Sequence, residues 1–454
     1  MIPIAVDTIL PDIQELIKKE NKGALQNILI DLHPADIAQI FSHLNKDERA
    51  YLFTIMPTQL ASQVLAELDP PLIEELTEGL GVDKLASIVS EMDSDDAADF
   101  VSALPEEILP KILTRIPRQE AEEIKELLHY EEDTAGGIMA LEYVALPADA
   151  TVNEAIEEIR RLRARQEISH VYSVYVVDDK NHLLGTVSMT DLVLADGNTR
   201  LKDIMESDIP TVSTDMDQEE VANIFSKYDL VSMPVVDKEN HLVGRITVDD
   251  IVDVLEEEGA EDMAYIAGAP DEEITEESTF KLARARLPWL LVAFFGETIS
   301  ALLLNQFNAT LQQKVMIAFF IPIVMAMGGS TAQQASVIVI RGLATGDLST
   351  RDTAKRLIKE FRISFFNSLF FALLIFIIVY MWDTPFFAGI LAVSIFVVIN
   401  NAAIIGALVP LTFKRLKIDP ALAAAPFIST ANDILGILIY LSITTIVLGM
   451  GYGH

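Results

Sequence analysis

Two carboxylates stand where carboxylates are costly. Glu297 interrupts one long apolar run and Asp433 interrupts another. A charge at the centre of a bilayer costs about 2.5–3.5 kcal/mol on insertion scales, and it persists where it faces a polar cavity or a partner. Asp433 closes the segment Pro-Phe-Ile-Ser-Thr-Ala-Asn-Asp at 426–433. Pro426 releases backbone carbonyls there, and Ser429, Thr430 and Asn432 add further oxygens. Such an all-oxygen setting suits a hard cation. A second polar cluster, Met-Gly-Gly-Ser-Thr-Ala-Gln-Gln-Ala-Ser at 327–336, lies in another apolar run. Its small residues permit close helix packing. Polar Ser330 and Gln334 beside Gly328 and Gly329 favour the lining of a pore instead. Glu297 reads either as a structural hydrogen-bond partner or as a residue near an outer mouth.

Side chains of this kind need membrane helices to hold them. Spans are expected near 287–305, 315–341, 361–382, 386–412 and 424–450, each long enough to cross about 30 Å of hydrocarbon. Basic residues mark the loops. Lys281, Arg284 and Arg286 precede the first span; Arg351, Lys355, Arg356, Lys359 and Arg362 lie between the second and third; Lys414, Arg415 and Lys417 lie between the fourth and fifth. The alternate loops hold little more than Lys314 and Asp383. By the excess of Lys and Arg on cytoplasmic loops, the long N-terminal half is expected in the cytoplasm and the Gly-Tyr-Gly-His tail outside. The opening Met-Ile-Pro-Ile-Ala-Val-Asp lacks the basic start and apolar core of a signal peptide.

Charge divides the chain in the same way. From Phe280 onward 13 Lys and Arg face 7 Asp and Glu, whereas the preceding stretch carries 20 against 61. So acidic a body attracts counter-ions and is no partner for nucleic acid, whose phosphates need the opposite sign. With no cysteine, disulfides and thiolate metal sites are excluded. No histidine lies in any span, and no Gly-x4-Gly-Lys-Ser/Thr loop is present. An intramembrane metalloprotease and an ATP hydrolase are therefore disfavoured.

The cytoplasmic half holds two patterns. From about 10 to 129, segments such as His33-Pro-Ala-Asp-Ile-Ala-Gln-Ile-Phe, Pro57-Thr-Gln-Leu-Ala-Ser-Gln-Val-Leu and Asp93-Ser-Asp-Asp-Ala-Ala-Asp-Phe-Val place a polar cap before a short amphipathic run. Stacked helices of this kind form a small superhelix. From 140 to 258, strands and helices alternate in two copies. Val171-Tyr-Ser-Val-Tyr-Val-Val-Asp-Asp leads to Asn181-His-Leu-Leu-Gly-Thr-Val-Ser-Met-Thr-Asp191. Later, Ser232-Met-Pro-Val-Val-Asp leads to Asn240-His-Leu-Val-Gly-Arg-Ile-Thr-Val-Asp-Asp250. This repeat resembles a tandem pair of CBS modules. The resemblance implies ATP or another adenine nucleotide between the repeats, with Asp191 or Asp250 as the ribose contact. The alternative is a scaffold that only dimerises.

The order of helical domain, CBS pair and five spans, the junction Glu132-Asp-Thr-Ala-Gly-Gly-Ile-Met139 and the two polar spans together resemble the MgtE family of magnesium channels. The implied fold is multi-domain: a cytosolic all-α superhelical domain at 1–130, an α/β tandem CBS pair at 131–258, a connecting helix at 259–280 and an α-helical transmembrane domain of five spans at 281–454. The implied function is a Mg2+-selective channel of the plasma membrane, not an enzyme, working as a homodimer in the lipid bilayer. Asp433 matches the family's pore aspartate, with Asn432 and Ser429 beside it and Gly328, Gly329, Ser330, Gln334 and Glu297 lining or gating the path. Asp250, Asp253, Glu258, Glu261, Asp262 and Asp419 match family positions that sense cytoplasmic Mg2+, and Asp95, Asp99, Glu219 and Asp229 match them more loosely. The second span departs from the family's Gly-Gly-Asn, with Ser330 and then Ala332 and Gln333, so a hydroxyl replaces an amide in the lining. A coupled carrier or exporter of divalent cations on the same fold is the competing reading.

Overall fold

The computed structural model describes residues 6–165, 167–168, 170–267, 279–346, 348, 353–423 and 426–451. Residues 268–278 of the expected connecting helix, Arg351, the first two residues of the expected fifth span and the end of the C-terminal tail lie outside the described residues. The chain divides into two compact units, Met1–Leu255 and Glu256–His454.

The first unit begins with short helices in tandem: α1 (Val6–Lys18), α2 (Lys22–Asp31), α3 (Pro34–Ser42), α4 (Lys46–Ile55), α5 (Thr58–Ala66), α6 (Pro70–Thr77), α7 (Val82–Val89), α8 (Ser94–Ser102), α9 (Leu109–Leu113) and α10 (Arg118–Leu127). Local chemistry starts several of them. Asn45 and Glu48 form a reciprocal capping box on α4, and Pro34 and Pro70 open helices where a missing N–H is harmless. None is long enough to be stable alone. Their apolar faces share one core through Leu25, Phe41, Leu52, Phe53, Ile88 and Phe100.

Two copies of one α/β module follow. The first contains β1 (Ala145–Pro147), α11 (Val152–Ala164), β2 (Ser173–Val177), β3 (Leu183–Ser188) and α12 (Met189–Leu194). The second contains β4 (Val212–Ser213), α13 (Gln218–Tyr228), β5 (Ser232–Val236), β6 (Leu242–Thr247) and α14 (Val248–Ala267). Each sheet pairs its first strand parallel and its last antiparallel to the middle one. The hairpin turns carry Asn181 and Asn240 at φ 67° and 68°, a conformation asparagine tolerates well. Each asparagine also donates its amide to the other module, to the Leu242 and Leu183 carbonyls. The junction 132–139 is fixed by its glycines: a Cβ on Gly137 would stand 2.5 Å from the Glu131 carbonyl oxygen.

The second unit holds the end of α14 and the expected five spans: α15 (Thr279–Gln306), the short α16 (Asn308–Gln313), α17 (Met316–Ala344), α18 (Thr353–Tyr380), α19 (Pro385–Arg415) and α20 (Pro426–Gly451). The helix α18 starts eight residues before the expected third span. Its first turns carry Lys355, Arg356, Lys359 and Glu360, which hydropathy does not register but which a helix accepts; Arg356 and Glu360 are buried and form an ion pair. Arg356 is therefore a packed helix residue rather than a loop charge. The most enclosed span, α19, packs against α17, α18 and α20. Asn400 on α19 accepts from Ser364 Oγ at 2.9 Å and donates to Ser368 Oγ at 2.6 Å on α18.

Candidate functional site

The polar segments of α17 and α20 meet. Asn432 is 1% exposed and sits against Gly328, where a Cβ would stand 3.0 Å from its Oδ1. Its Nδ2 donates to Asp433 Oδ1 at 3.3 Å, while its Oδ1 has no hydrogen-bond partner. Asp433 is half-buried, and Ser429, Ser330 and Gln334 are exposed on the surface of the single chain. Gly329 is half-buried. Gly328 lets the helices approach, and its neighbours leave their polar groups accessible.

The helix α15 reaches the same place. A Cβ on Gly296 would lie 2.3 Å from Thr430 Cγ2, and the next residue, Glu297, is near enough to Asp433 for the two charges to repel. Glu297 is exposed on the surface of the single chain. Two carboxylates this close repel unless a proton or a cation lies between them.

A second acidic centre lies in the first unit. Asp95, at the start of α8, is crowded by Asp96, Asp250 and Glu142. Burial, then Asp96 and Asp250, raise the Asp95 carboxyl well above the usual range. Desolvation followed by Asp93 and Asp250 pushes Asp96 up to about 7, and burial pushes Asp250 up to about 6 despite its bonds from Thr247. Glu142 is also raised by burial, and accepts from the Ser94 backbone and hydroxyl at 3.0 and 2.8 Å. Asp99 is exposed on α8. Asp253 faces Glu67, whose carboxyl is raised by burial and then by Asp253.

A third centre lies in the second unit. Asp262 is pushed up to about 6 by burial, then by Asp419 and Glu261. Asp419 caps its own turn by accepting from the Ala421 N–H at 2.8 Å. Glu258 and Glu261 occupy the same helix, half-buried and exposed. Glu219 and Asp229 sit at opposite ends of α13, the latter as a left-handed cap at φ 53°. Among the described residues, no three His, Asp or Glu side chains are arranged to hold a metal. These are all-oxygen clusters rather than finished cages.

Asp191 differs from Asp250. It is exposed at the start of α12 and accepts from Ser188 Oγ at 2.6 Å. Asp250 is committed to the acidic centre. Sequence reasoning missed Asp96, Glu142 and Glu67, which stand far apart in the chain. The adjacency of Asp95 and Asp96 was the one visible signal.

Known proteins resemble the chain along its whole length. A family model described as "Divalent cation transporter" matches residues 321–443, "MgtE intracellular N domain" matches 32–133, and "CBS domain" matches 135–198 and 201–257. The Magnesium transporter MgtE of Thermus thermophilus is 35% identical over 96% of this chain and 98% of its own. That of Enterococcus faecalis is 34% identical over 95% of each. Among solved structures, the cytosolic domain of the Mg2+ channel MgtE in complex with ATP is 36% identical, with a TM-score of 0.51, covering 54% of this chain and 99% of that one.

Proposed function

The chain belongs to the MgtE family of divalent cation transporters, and from that premise we propose that it is a Mg2+ channel of the plasma membrane, gated by cytoplasmic Mg2+. It is a membrane transporter rather than an enzyme, since the relatives matched along nearly their full length are named transporters. One observation carries the reading: Asp433 lies inside a membrane helix, bonded by Asn432 at the contact with Gly328 of α17. Mg2+ gives up its waters reluctantly and is held well by one or two carboxylates through those waters. Two protomers would place two Asp433 carboxylates across a shared axis, favouring double charge without full dehydration.

Regulation follows from the acidic clusters. At high cytoplasmic Mg2+, ions neutralise Asp95, Asp250 and Asp253 in the first unit and Asp262 with Asp419 in the second, and the channel closes. When Mg2+ falls, repulsion loosens each cluster and the channel opens. The N-terminal units lie in the cytoplasm and the C-terminus outside. An adenine nucleotide at Asp191 adjusts the same equilibrium. This part of the reading draws support from the ATP complex of the related cytosolic domain.

Flux into proteoliposomes tests the pathway. Mg2+ uptake by the wild type should exceed that by Asp433→Ala at least tenfold, and equal rates would overturn the reading. Single-channel current steps, expected here, separate a channel from a coupled carrier.

A further inference from the structure

Each copy of the duplicated module closes its hairpin turn with the same two residue types, Asp178 with His182 and Asp237 with His241. The Asp178 Oδ1 accepts from the Lys180 and His182 backbone N–H groups at 2.8 and 2.9 Å, and the Asp237 Oδ1 from those of Glu239 and His241 at 3.0 and 2.8 Å. The other oxygen of each carboxylate accepts from its histidine Nδ1, at 2.9 and 2.8 Å. Both acids are held low: Asp178, at about 2, by the His182 bond first, while at Asp237 desolvation is outweighed by the bond from His241. An ionised carboxylate only accepts, so Nδ1 carries the hydrogen and the neutral ring keeps its lone pair on Nε2. The two hairpins meet at an isolated antiparallel bridge between His182 and His241. Bonds from the Leu183 N–H to the Asn240 carbonyl and from the Leu242 N–H to the Asn181 carbonyl flank it. The histidines are thus a non-hydrogen-bonded pair, the register in which side chains come closest. Their rings stack with centroids 4.7 Å apart and planes 13° from parallel, and the side chains are 33% and 35% exposed. Among the described residues neither Nε2 has a hydrogen-bond partner.

We propose that His182 and His241 bind one divalent transition-metal ion, of the Ni2+, Cu2+ or Zn2+ type, through their two Nε2 atoms, with waters completing its shell. A carboxylate on the far ring nitrogen is the arrangement that fixes tautomer and ring orientation in histidine metal sites and raises ligand basicity. Two such dyads, one from each module, meet at this bridge. A rotation of each ring out of the parallel stack, about its Cβ–Cγ bond, turns both lone pairs towards one ion. Imidazole suits Ni2+, Cu2+ and Zn2+, whereas Mg2+ prefers oxygen, so the pair selects ions other than those the acidic clusters favour. Two protein ligands instead of the four of a structural zinc centre make the ion exchangeable. Once bound, it clasps the hairpins of the two modules together. The inference goes beyond the transport reading and does not depend on Asp433.

Turn closure rests on the aspartates and the backbone, so the imidazoles can be replaced without opening the hairpins. The full chain, free of any polyhistidine tag, is titrated calorimetrically with NiCl2 in saturating MgCl2, which occupies the oxygen clusters. One Ni2+ per chain should still bind. His182→Gln or His241→Gln should weaken that binding tenfold or more, and His33→Gln should leave it unchanged. Asp178→Asn, which keeps both ligands, should weaken it roughly tenfold. With CuCl2, the EPR hyperfine structure should report two coordinated imidazole nitrogens in the wild type and one after either glutamine substitution. Ni2+ should raise the melting temperature of the wild type but not of the double variant. Absence of Ni2+ binding by the wild type, or equal binding by His182→Gln/His241→Gln, overturns the site. If the glutamine variants do not fold, diethylpyrocarbonate on the wild type decides. There ZnCl2 but not MgCl2 should shield His182 and His241 from carbethoxylation, and equal modification with and without Zn2+ counts against the site.

Discussion

Gly328 and Gly406 show how much a single methyl group matters between membrane helices. A Cβ on Gly406 would stand 2.2 Å from the Ala332 carbonyl oxygen, a backbone atom that cannot swing away. Gly406→Ala should therefore lower thermal stability in detergent, by an amount typical of overpacking, about 1–3 kcal/mol. At Gly328 the nearest atoms belong to the Asn432 side chain, at 3.0 and 3.1 Å, and a side chain can give. Gly328→Ala should cost little stability but tilt Asn432 away from Asp433. The expected outcome is Mg2+ flux lowered severalfold at a melting temperature close to the parent's. Gly389, with nothing within 4 Å of an added Cβ, is the control. Loss of stability at 328 equal to that at 406 would show that Asn432 is wedged rather than adjustable. The sequence displayed these glycines, but not which of them touch a backbone and which touch a functional amide.

Among elements, legibility followed the range of the interaction. The five spans, the tandem helices and the duplicated module could all be read, because periodicity and composition act over neighbouring residues. The true start of α18 at Thr353 could not, since its first turns are charged and only burial of the Arg356–Glu360 pair makes them part of the packed unit. The acidic centre was half legible. Asp95 and Asp250 were expected, but Glu142 and Glu67 arrive from other segments, and only folding brings them near. That centre makes a pH prediction. Asp95, Asp96 and Asp250 hold protons in the folded unit at a pH where the unfolded chain has released them. The folded state therefore binds more protons, so its stability falls as pH rises from about 4 through about 7. In Mg2+-free buffer the cytoplasmic unit of the full chain should melt several degrees higher at about pH 5.5 than at about pH 8. Mg2+ competes with protons for the same oxygens, so its stabilising effect should be large at the higher pH and small at the lower. A Mg2+ effect independent of pH would separate the ion from these carboxylates.

At the scale of the molecule, the stretch before Phe280, with 61 acidic residues against 20 basic ones, is strained by its own charge. General screening by salt relieves such strain weakly and without preference, whereas desolvated carboxylates in clusters respond to a dication at lower concentration. The helix α14 links the two effects, because one continuous element carries Asp250 and Asp253 at its start and Glu258, Glu261 and Asp262 toward its end. On the proposed reading, ions taken up along it act on one helix, and a coupling of about 1–3 kcal/mol per linked site is enough to shift a gate. Replacing Asp253, Glu258 and Asp262 together by alanine removes three charges from that helix while leaving Asp433 and the membrane spans intact. In patch recordings the triple variant should conduct with the parent's unitary current, yet remain open at internal Mg2+ concentrations that close the parent. Raising NaCl to the same ionic strength should close neither. Unchanged inhibition by internal Mg2+ would place the sensor elsewhere than on α14, and closure by NaCl alone would reduce the mechanism to screening.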